Sequence, residues 1–136
     1  MGIRKHIRQV APGRFRGEFL VGEYAAEIHL NPAESTLYRL FLAHPEGIAS
    51  DDLLLYWEEL ISLYGQESVF DESLRQEDAL VSLCAESKIV FYSNISRIKC
   101  KFVKALGARH AAGYYIKRYA DGLYRTRAVL ITENDQ

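Results

Sequence analysis

The chain has 136 residues, of which 49% are hydrophobic and 26% charged, and its formal net charge is −1 at pH 7. These values are typical of one globular domain with its own hydrophobic core. No stretch offers about 18 consecutive apolar residues, and the first residues lack the apolar stretch of a signal peptide, so neither a membrane span nor secretion is expected.

The near-zero net charge conceals a separation of acidic and basic residues along the chain. Residues 32–86 contain twelve acidic residues and two arginines, whereas residues 87–131 contain five lysines, five arginines and one acidic residue, Asp121. A concentrated basic stretch with interleaved aromatic residues is typical of a surface that binds a polyanion, most often nucleic acid. Alternatively, the acidic and basic thirds pair with each other inside the fold. The charges alone leave both interpretations open.

The first thirty residues predict an arm followed by two strands. Residues 1–13 are basic, end in Pro-Gly and predict a loose arm. Residues 14–30 alternate between apolar and polar side chains on either side of Gly22, which predicts two antiparallel strands. The residues expected on the core face of these strands are Phe15, Phe19, Val21, Tyr24, Ala26, Ile28 and Leu30.

Residues 31–106 predict four helices. The first begins with Asn31 as N-cap, Pro32 at the first position and Glu34 completing a capping box, and it ends at His44-Pro45. The second is expected from the cap Ser50 to Gly65, the third from about Ser73 to Ala85, and the fourth from Ser87 to Leu106, ended by Gly107. Buried stripes are expected at Leu37, Leu40 and Phe41, at Leu53, Trp57, Leu60, Ile61 and Tyr64, and at Leu80, Val81 and Cys84.

The fourth helix is the basic one. Its apolar stripe is expected at Phe91, Ile95, Ile98, Phe102 and Leu106, and an adjoining face carries Asn94, Arg97, Lys101 and Lys104. Residues 114–131 then predict a β-hairpin that turns at Asp121-Gly122 and returns as one strand from Leu123 to Ile131. Tyr115, Lys117 and Tyr119 are expected on one face of its first strand, opposite Tyr114, Ile116 and Arg118.

Nothing in the sequence indicates an enzyme. The histidines are scattered, the two cysteines have no metal-like spacing and are expected to be reduced and near the core, and no nucleophile, phosphate-loop or dinucleotide motif occurs. Neighbouring acidic residues such as Glu58 and Glu59 point about 100° apart on a helix, so they make poor catalytic pairs. No catalytic residue, metal or cofactor is therefore expected.

Three segments, in the same order, resemble the DNA-binding domain of OmpR/PhoB-type response regulators. LNPAESTLYRLFLAHPEG, residues 30–47, is similar to the family's opening helix. SNISRIKCKFVKALG, residues 93–107, is similar to its recognition helix, and YYIKRYADGLYRT, residues 114–126, resembles its wing. The resemblance implies a winged helix-turn-helix fold, in which the helix from Val90 to Leu106 would lie in the major groove of DNA.

The same resemblance implies DNA contacts for nine residues. Arg97 takes the place of the family arginine that contacts DNA. The other expected contacts are Ser93 and Asn94 at base edges, Lys99 and Lys101 at phosphates, Lys104 on the same helix face, and Lys117, Arg118 and Arg125 on the wing.

The chain also departs from the family pattern. It has no receiver domain, so control by phosphorylation is not expected. The family's wing arginine falls on Ala120, and the segment before the basic helix is longer than the family's loop and predicts an extra helix. Acidic residues surround the second helix, where carboxylates would repel phosphate.

The sequence therefore predicts one α+β domain: a winged helix-turn-helix with a small N-terminal antiparallel sheet, an extra helix before the recognition helix and a C-terminal β-hairpin wing. The expected function is that of a cytoplasmic transcriptional regulator or accessory factor that binds double-stranded DNA. The alternative is a winged-helix protein–protein interaction module that does not bind DNA. Such a module would dimerise, or bind a protein partner, through the acidic region of residues 50–86.

Overall fold

The computed structural model describes residues 5–9, 18–22, 26–67 and 73–130. The strands in these ranges are β1 (Lys5–Gln9), β2 (Glu18–Val21), β3 (Ala26–His29), β4 (Lys117–Arg118), β5 (Tyr124–Arg125) and β6 (Ala128–Leu130). The helices are α1 (Pro32–Ala43), a 3-10 helix (Ser50–Tyr56), α2 (Trp57–Glu67), α3 (Ser73–Leu83), α4 (Ile89–Leu106) and α5 (Ala108–Ala111). The predicted α+β class is confirmed, and α3 corresponds to the predicted third helix.

Four strands form a sheet in the order β3-β2-β1-β6. The β2–β3 pair is antiparallel on either side of Gly22, as predicted, and places Phe19 opposite Ile28. Because Phe19, Val21 and Ile28 are buried, the predicted core face of these two strands is confirmed for them. Phe15 and Tyr24 lie outside the described residues.

The prediction of a loose arm is wrong for residues 5–9. They form β1, which pairs antiparallel with β2 and parallel with β6, and the side chain of Ile7 is buried. Hydrogen bonding along both edges and one buried apolar side chain hold this otherwise polar strand in the sheet.

The predicted single return strand from Leu123 to Ile131 is also wrong. β5 pairs with β4 in the expected hairpin, whereas β6 leaves the hairpin and joins β1. The break falls at Thr126, whose buried hydroxyl donates to the carbonyl oxygen of Tyr114 at 2.6 Å and accepts from the backbone N–H of Ala128 at 3.1 Å. Ile131 and the residues after it lie outside the described part of the chain.

The predicted start of α1 is confirmed. The side-chain oxygen of Asn31 accepts from the backbone N–H of Glu34 at 2.8 Å, and Oε1 of Glu34 accepts from the backbone N–H of Asn31 at 3.0 Å. Pro32 occupies the first turn, where a missing N–H costs no hydrogen bond. Leu37, Leu40 and Phe41 are buried as expected.

The second and third helices differ in detail from the prediction. Ser50 opens a 3-10 helix whose N-cap position is Ala49, and α2 continues through Gly65 to Glu67. Leu53, Leu60 and Leu80 are buried as predicted, but Ile61 and Val81 are exposed. α4 begins at Ile89, two residues later than expected, and ends before Gly107 as predicted.

The core lies between the four-stranded sheet, α1 and α4. The ring of Tyr38 on α1 contacts Phe19 of β2 and Phe102 of α4, with ring centroids 5.5 and 5.2 Å apart. The Tyr38 hydroxyl donates to the carbonyl oxygen of Tyr114 at 2.6 Å, and burial raises the pKa of Tyr38 far above its usual value. These contacts fix α4 against the core and hold the segment that leads into the hairpin beside it.

Candidate nucleic-acid interface

One side of α4 is apolar and buried, and the other side is exposed and carries the basic residues. Phe91, Ile98 and Phe102 are buried at the spacing of a helical stripe, as predicted, while Ile95 and Leu106 are partly buried. Five of the predicted contact residues lie at least partly in solvent on the remaining surface of α4: Ser93, Arg97, Lys99, Lys101 and Lys104.

The expectation that Asn94 lies on the exposed basic face is wrong. Asn94 is only 2% exposed, and its side-chain amide donates to the carbonyl oxygen of Val90 at 2.9 Å. It follows Phe91 by three residues and precedes Ile98 by four, so it belongs to the buried stripe. This geometry leaves Asn94 unable to reach a base edge.

Two of the predicted cations share one buried carboxylate. Glu34, which is fully buried near the start of α1, accepts a hydrogen bond from the ammonium group of Lys101. The Nε atom of Arg97 lies 3.4 Å from Oε2 of the same carboxylate. The side chains of Lys101 and Arg97 remain 37% and 57% exposed, so each bridges the interior and the surface. Glu34 therefore determines where the charged groups of Lys101 and Arg97 reach the protein surface.

A row of cations and tyrosine rings connects α4 with the hairpin; we call it the cation–tyrosine row. The Nζ atom of Lys99 on α4 lies 5.4 Å from the ring centroid of Tyr115, and Nζ of Lys117 lies 5.9 Å from that ring and 5.8 Å from the ring of Tyr119. Arg127 completes the row, because its Nε donates to the Tyr119 hydroxyl at 3.0 Å. Positive charges over tyrosine faces attract the ring quadrupole, which orders long side chains that solvent would otherwise leave mobile.

The turn of the hairpin is held by Arg125. Its Nη2 donates to the carboxylate of Asp121 at 2.6 Å and to the carbonyl oxygen of Glu46 at 3.0 Å. The hydrogen bond from Arg125 lowers the pKa of Asp121, with a further contribution from the backbone N–H of Leu123. Arg125 was predicted as a DNA contact, and the structure shows it already tying the turn to the loop after α1.

The hairpin is anchored on both sides. Tyr124 exchanges two backbone hydrogen bonds of 2.9 Å with Ile48, in the loop after α1. Its ring meets Phe91 of α4 edge-to-face, with centroids 5.2 Å apart. The predicted alternation is only partly met: Tyr114 and Ile116 are buried and Lys117 reaches solvent, but Arg118, which was expected on the face of Tyr114 and Ile116, is exposed. Of the predicted first strand, only Lys117 and Arg118 form β4.

Ion pairs within the protein neutralise only some of the lysine and arginine side chains of residues 87–131. Among the described residues, Lys88 pairs with Asp51 at 3.8 Å, Arg97 and Lys101 pair with Glu34, and Arg125 pairs with Asp121. The structure gives no ion pair within its described ranges for the other six cations of residues 87–130, namely Lys99, Lys104, Arg109, Lys117, Arg118 and Arg127. Most of this positive charge therefore faces solvent.

The sequence did not indicate Arg127 as part of this surface, nor Glu34 as the buried partner of two of its cations. Arg127 stands one residue before β6, and its Cζ atom lies 5.5 Å from the ring centroid of Tyr119. Glu34 was recognised only as a helix cap, because its second role depends on residues 63 and 67 positions away. The alternating pattern of Tyr115, Lys117 and Tyr119 was the sequence signal for the row.

The described residues contain no cluster of three or more His, Cys, Asp or Glu side chains that could hold a metal ion. No helix in the same ranges combines the length and the apolar character that crossing a membrane requires. Comparison with protein-family models, curated proteins and solved structures finds no match to this chain.

Proposed function

We propose that this chain is a winged-helix protein that binds double-stranded DNA, with α4 as the recognition helix and the β4–β5 hairpin as the wing. The observation that carries the proposal is the cation–tyrosine row, which joins the exposed side of α4 to the hairpin in one basic surface. A helix and an adjacent hairpin are the two shapes that fit a DNA groove and its flanking backbone.

The charge distribution supports contact with phosphates. Lys99 and Lys104 on α4, and Lys117 and Arg118 on β4, have no carboxylate partner among the described residues. A phosphate that approaches these side chains therefore displaces only water and counterions. By contrast, Lys101 and Arg97 already interact with the Glu34 carboxylate, so a phosphate would have to compete with that carboxylate for them. We therefore assign the principal phosphate contacts to these four cations of α4 and β4.

Arg97 is the remaining candidate for a base contact. Its side chain is more than half exposed, and it approaches the Glu34 carboxylate through Nε, at 3.4 Å. The terminal nitrogens of the guanidinium are the atoms that can form a bidentate contact with a guanine edge. Ser93, partly buried one turn earlier, is placed to accompany it.

The test is equilibrium binding to a labelled random-sequence duplex, measured by fluorescence anisotropy across a series of salt concentrations. Four phosphate contacts predict that log K falls with log salt with a slope of about −4. Replacing Lys117 and Arg118 together by alanine should weaken binding and reduce the magnitude of the slope by about 2.

Lys88→Gln provides a matched control. Lys88 also carries a positive charge next to α4, but its side chain is largely buried and pairs with Asp51. Its replacement should leave the salt slope unchanged. The proposal fails if binding to the duplex is undetectable at low salt, or if Lys88→Gln weakens binding as much as the change at Lys117 and Arg118.

A further inference from the structure

Most exposed apolar side chains of the described residues belong to helices rather than to the basic hairpin. Of the large hydrophobic residues that are exposed in the described ranges, all but one belong to the 3-10 helix, α2, α3 or the first turn of α4: Leu54, Leu55, Ile61, Val81, Ile89 and Tyr92. The exception is Val129 on β6. Apolar side chains grouped on a surface are typical of a site that another molecule covers.

Two helical segments form a groove at this surface; we call it the α2–α3 groove. One wall consists of Leu54, in the 3-10 helix, and Trp57, at the start of α2. The other consists of Val81, Cys84 and Ala85, at the end of α3 and just after it. The groove has a volume of about 420 Å³ and is open to solvent. Grooves of this kind, apolar and bounded by two helices, accept the apolar face of a third helix.

Carboxylates outnumber cations at the groove and on the neighbouring helical surface, which together we call its rim. Glu86 lines the groove, and Asp51, Asp52 and Glu58 are exposed on the elements that carry Leu54 and Trp57. In the sequence, residues 50–86 contain ten acidic residues and one arginine. The nearby cation Lys88 is already paired with Asp51.

The charge of the rim decides which occupant fits. If two copies met groove to groove, their carboxylates would face each other, and like charges across an interface oppose association. A cationic partner would instead gain attraction at the rim while it buries apolar side chains in the centre.

We propose that the α2–α3 groove binds an amphipathic helix of another protein, one with lysine or arginine residues flanking its apolar face. Apolar side chains at helical spacing would fill the space between Trp57 and Val81, and the flanking cations would meet the acidic rim. The inference is independent of DNA binding, because it rests on residues outside the basic surface.

The protein contains an intrinsic fluorescent probe of the α2–α3 groove. Trp57 is the single tryptophan of the sequence, and it lines the groove, so its fluorescence reports occupancy directly. The proposed titration uses a synthetic amphipathic helical peptide of leucine and lysine. A second peptide with the same leucine positions, but with glutamate in place of lysine, tests the charge requirement. We expect saturable quenching or a blue shift of Trp57 emission with the lysine peptide, and binding at least about tenfold weaker with the glutamate peptide.

Substitutions at exposed positions locate the binding. Leu54→Gln and Val81→Gln should each weaken binding of the lysine peptide by about tenfold, with little change in melting temperature, because Leu54 and Val81 are 62% and 58% exposed. Val129→Gln is the matched control, since Val129 is 46% exposed and lies outside the groove. It should leave the affinity unchanged.

Four results would overturn the proposal. They are an unchanged Trp57 emission at saturating peptide, equal affinity for the two peptides, and equal affinity for wild type and the Val81→Gln variant. The fourth is a dimer of the protein alone, seen by sedimentation and dissociated by Leu54→Gln, because it would identify a second copy of this chain as the occupant.

Discussion

Replacing Glu34 by glutamine tests whether the buried carboxylate stabilises the fold through its two cations. Glutamine retains an oxygen that can accept from the backbone N–H of Asn31, so the capping box is preserved. The change removes the negative charge that Lys101 and Arg97 share and puts an NH2 donor in place of Oε2, beside Arg97. Glu58→Gln is the matched control, because Glu58 is an exposed glutamate on α2.

The expected loss of stability depends on the unequal burial of Glu34 and of its partners Lys101 and Arg97. Breaking a fully buried ion pair costs about 3–5 kcal/mol, whereas an exposed pair contributes about 0–1 kcal/mol. Glu34 is fully buried, but Lys101 and Arg97 are 37% and 57% exposed and can recover water when the charge is lost. We therefore expect Glu34→Gln to lower the free energy of unfolding by about 1–2 kcal/mol. For a domain of this size that corresponds to a fall in melting temperature of about 4–7 °C.

Urea denaturation of four proteins measures this contribution: wild type, Glu34→Gln, Lys101→Met and the double variant. The double-mutant cycle should give a coupling energy of about 1–2 kcal/mol, and Glu58→Gln should change stability by less than about 0.5 kcal/mol. A coupling energy below about 0.3 kcal/mol would refute the reasoning, since the buried carboxylate would then contribute nothing through Lys101.

Three further predictions concern the supports of the site. Partial burial lowers the pKa of His44, but hydrogen bonds and charge from Glu59 and Glu46 together outweigh it and raise the pKa above 6.5. The stabilisation from His44 should therefore be fully present below pH 6.5 and be lost as pH rises through the folded-state pKa. Urea denaturation of His44→Gln across pH should show its largest deficit on the acid side, and a deficit that grows with pH would contradict the assignment. Gly47→Ala should cost about 1–3 kcal/mol, because Gly47 has φ +101° and an added Cβ would lie 3.0 Å from Arg125 Nε and Leu123 Cβ. Gly65→Ala, in a helix with open space around it, should instead stabilise by about 0.5–1 kcal/mol; thermal melts that rank the two glycines the other way would exclude this account. Tyr38→Phe should cost about 1 kcal/mol in urea denaturation, since the Thr126 hydroxyl still donates to the Tyr114 carbonyl oxygen. Combining it with Thr126→Val should cost more than the sum of the single changes, and strict additivity would show that the carbonyl is satisfied in another way.

The structural features that the sequence predicts correctly are those that local interactions determine. The capping box of Asn31 and Glu34 closes within three residues, and Gly107 ends α4 through its own positive φ of 82°. The Asp121-Gly122 turn likewise depends on a few neighbouring groups, among them the backbone N–H of Leu123, which donates to Asp121. Each of these features is stabilised by contacts between residues that are adjacent or nearly adjacent in the chain.

The features that the sequence predicts wrongly depend on pairing between strands that are distant in the chain. β1 contains a single apolar side chain among polar ones and has no strand pattern of its own. Its partners β2 and β6 come from opposite ends of the chain, with Lys5 opposite Ala128. Most of the favourable interactions of such a strand are backbone hydrogen bonds, which every sequence can make, so the residues themselves carry little information about the pairing.

The prediction for Asn94 is wrong for a different reason, because the spacing of Asn94 along the helix already indicates that it is buried. Its position between Phe91 and Ile98 places it on the apolar stripe, and its polarity alone suggested a surface role. A buried asparagine needs internal hydrogen bonds, and its amide finds one at the Val90 carbonyl oxygen. Periodicity should therefore outweigh side-chain polarity when a candidate contact residue is chosen on a helix.

The structure keeps the acidic and basic thirds of the chain largely separate. Only Glu34 and Asp51 of the acidic third form ion pairs with the basic third among the described residues, and Glu34 acts from the interior. If mutual neutralisation were the reason for the charge pattern, more of the exposed carboxylates around α2 would face the lysines of α4 and the hairpin. Because they do not, the acidic groove and the cation–tyrosine row remain two surfaces of opposite charge. The two proposed partners, a DNA duplex and a cationic helix, therefore match surfaces of opposite charge, and each surface would repel the partner proposed for the other.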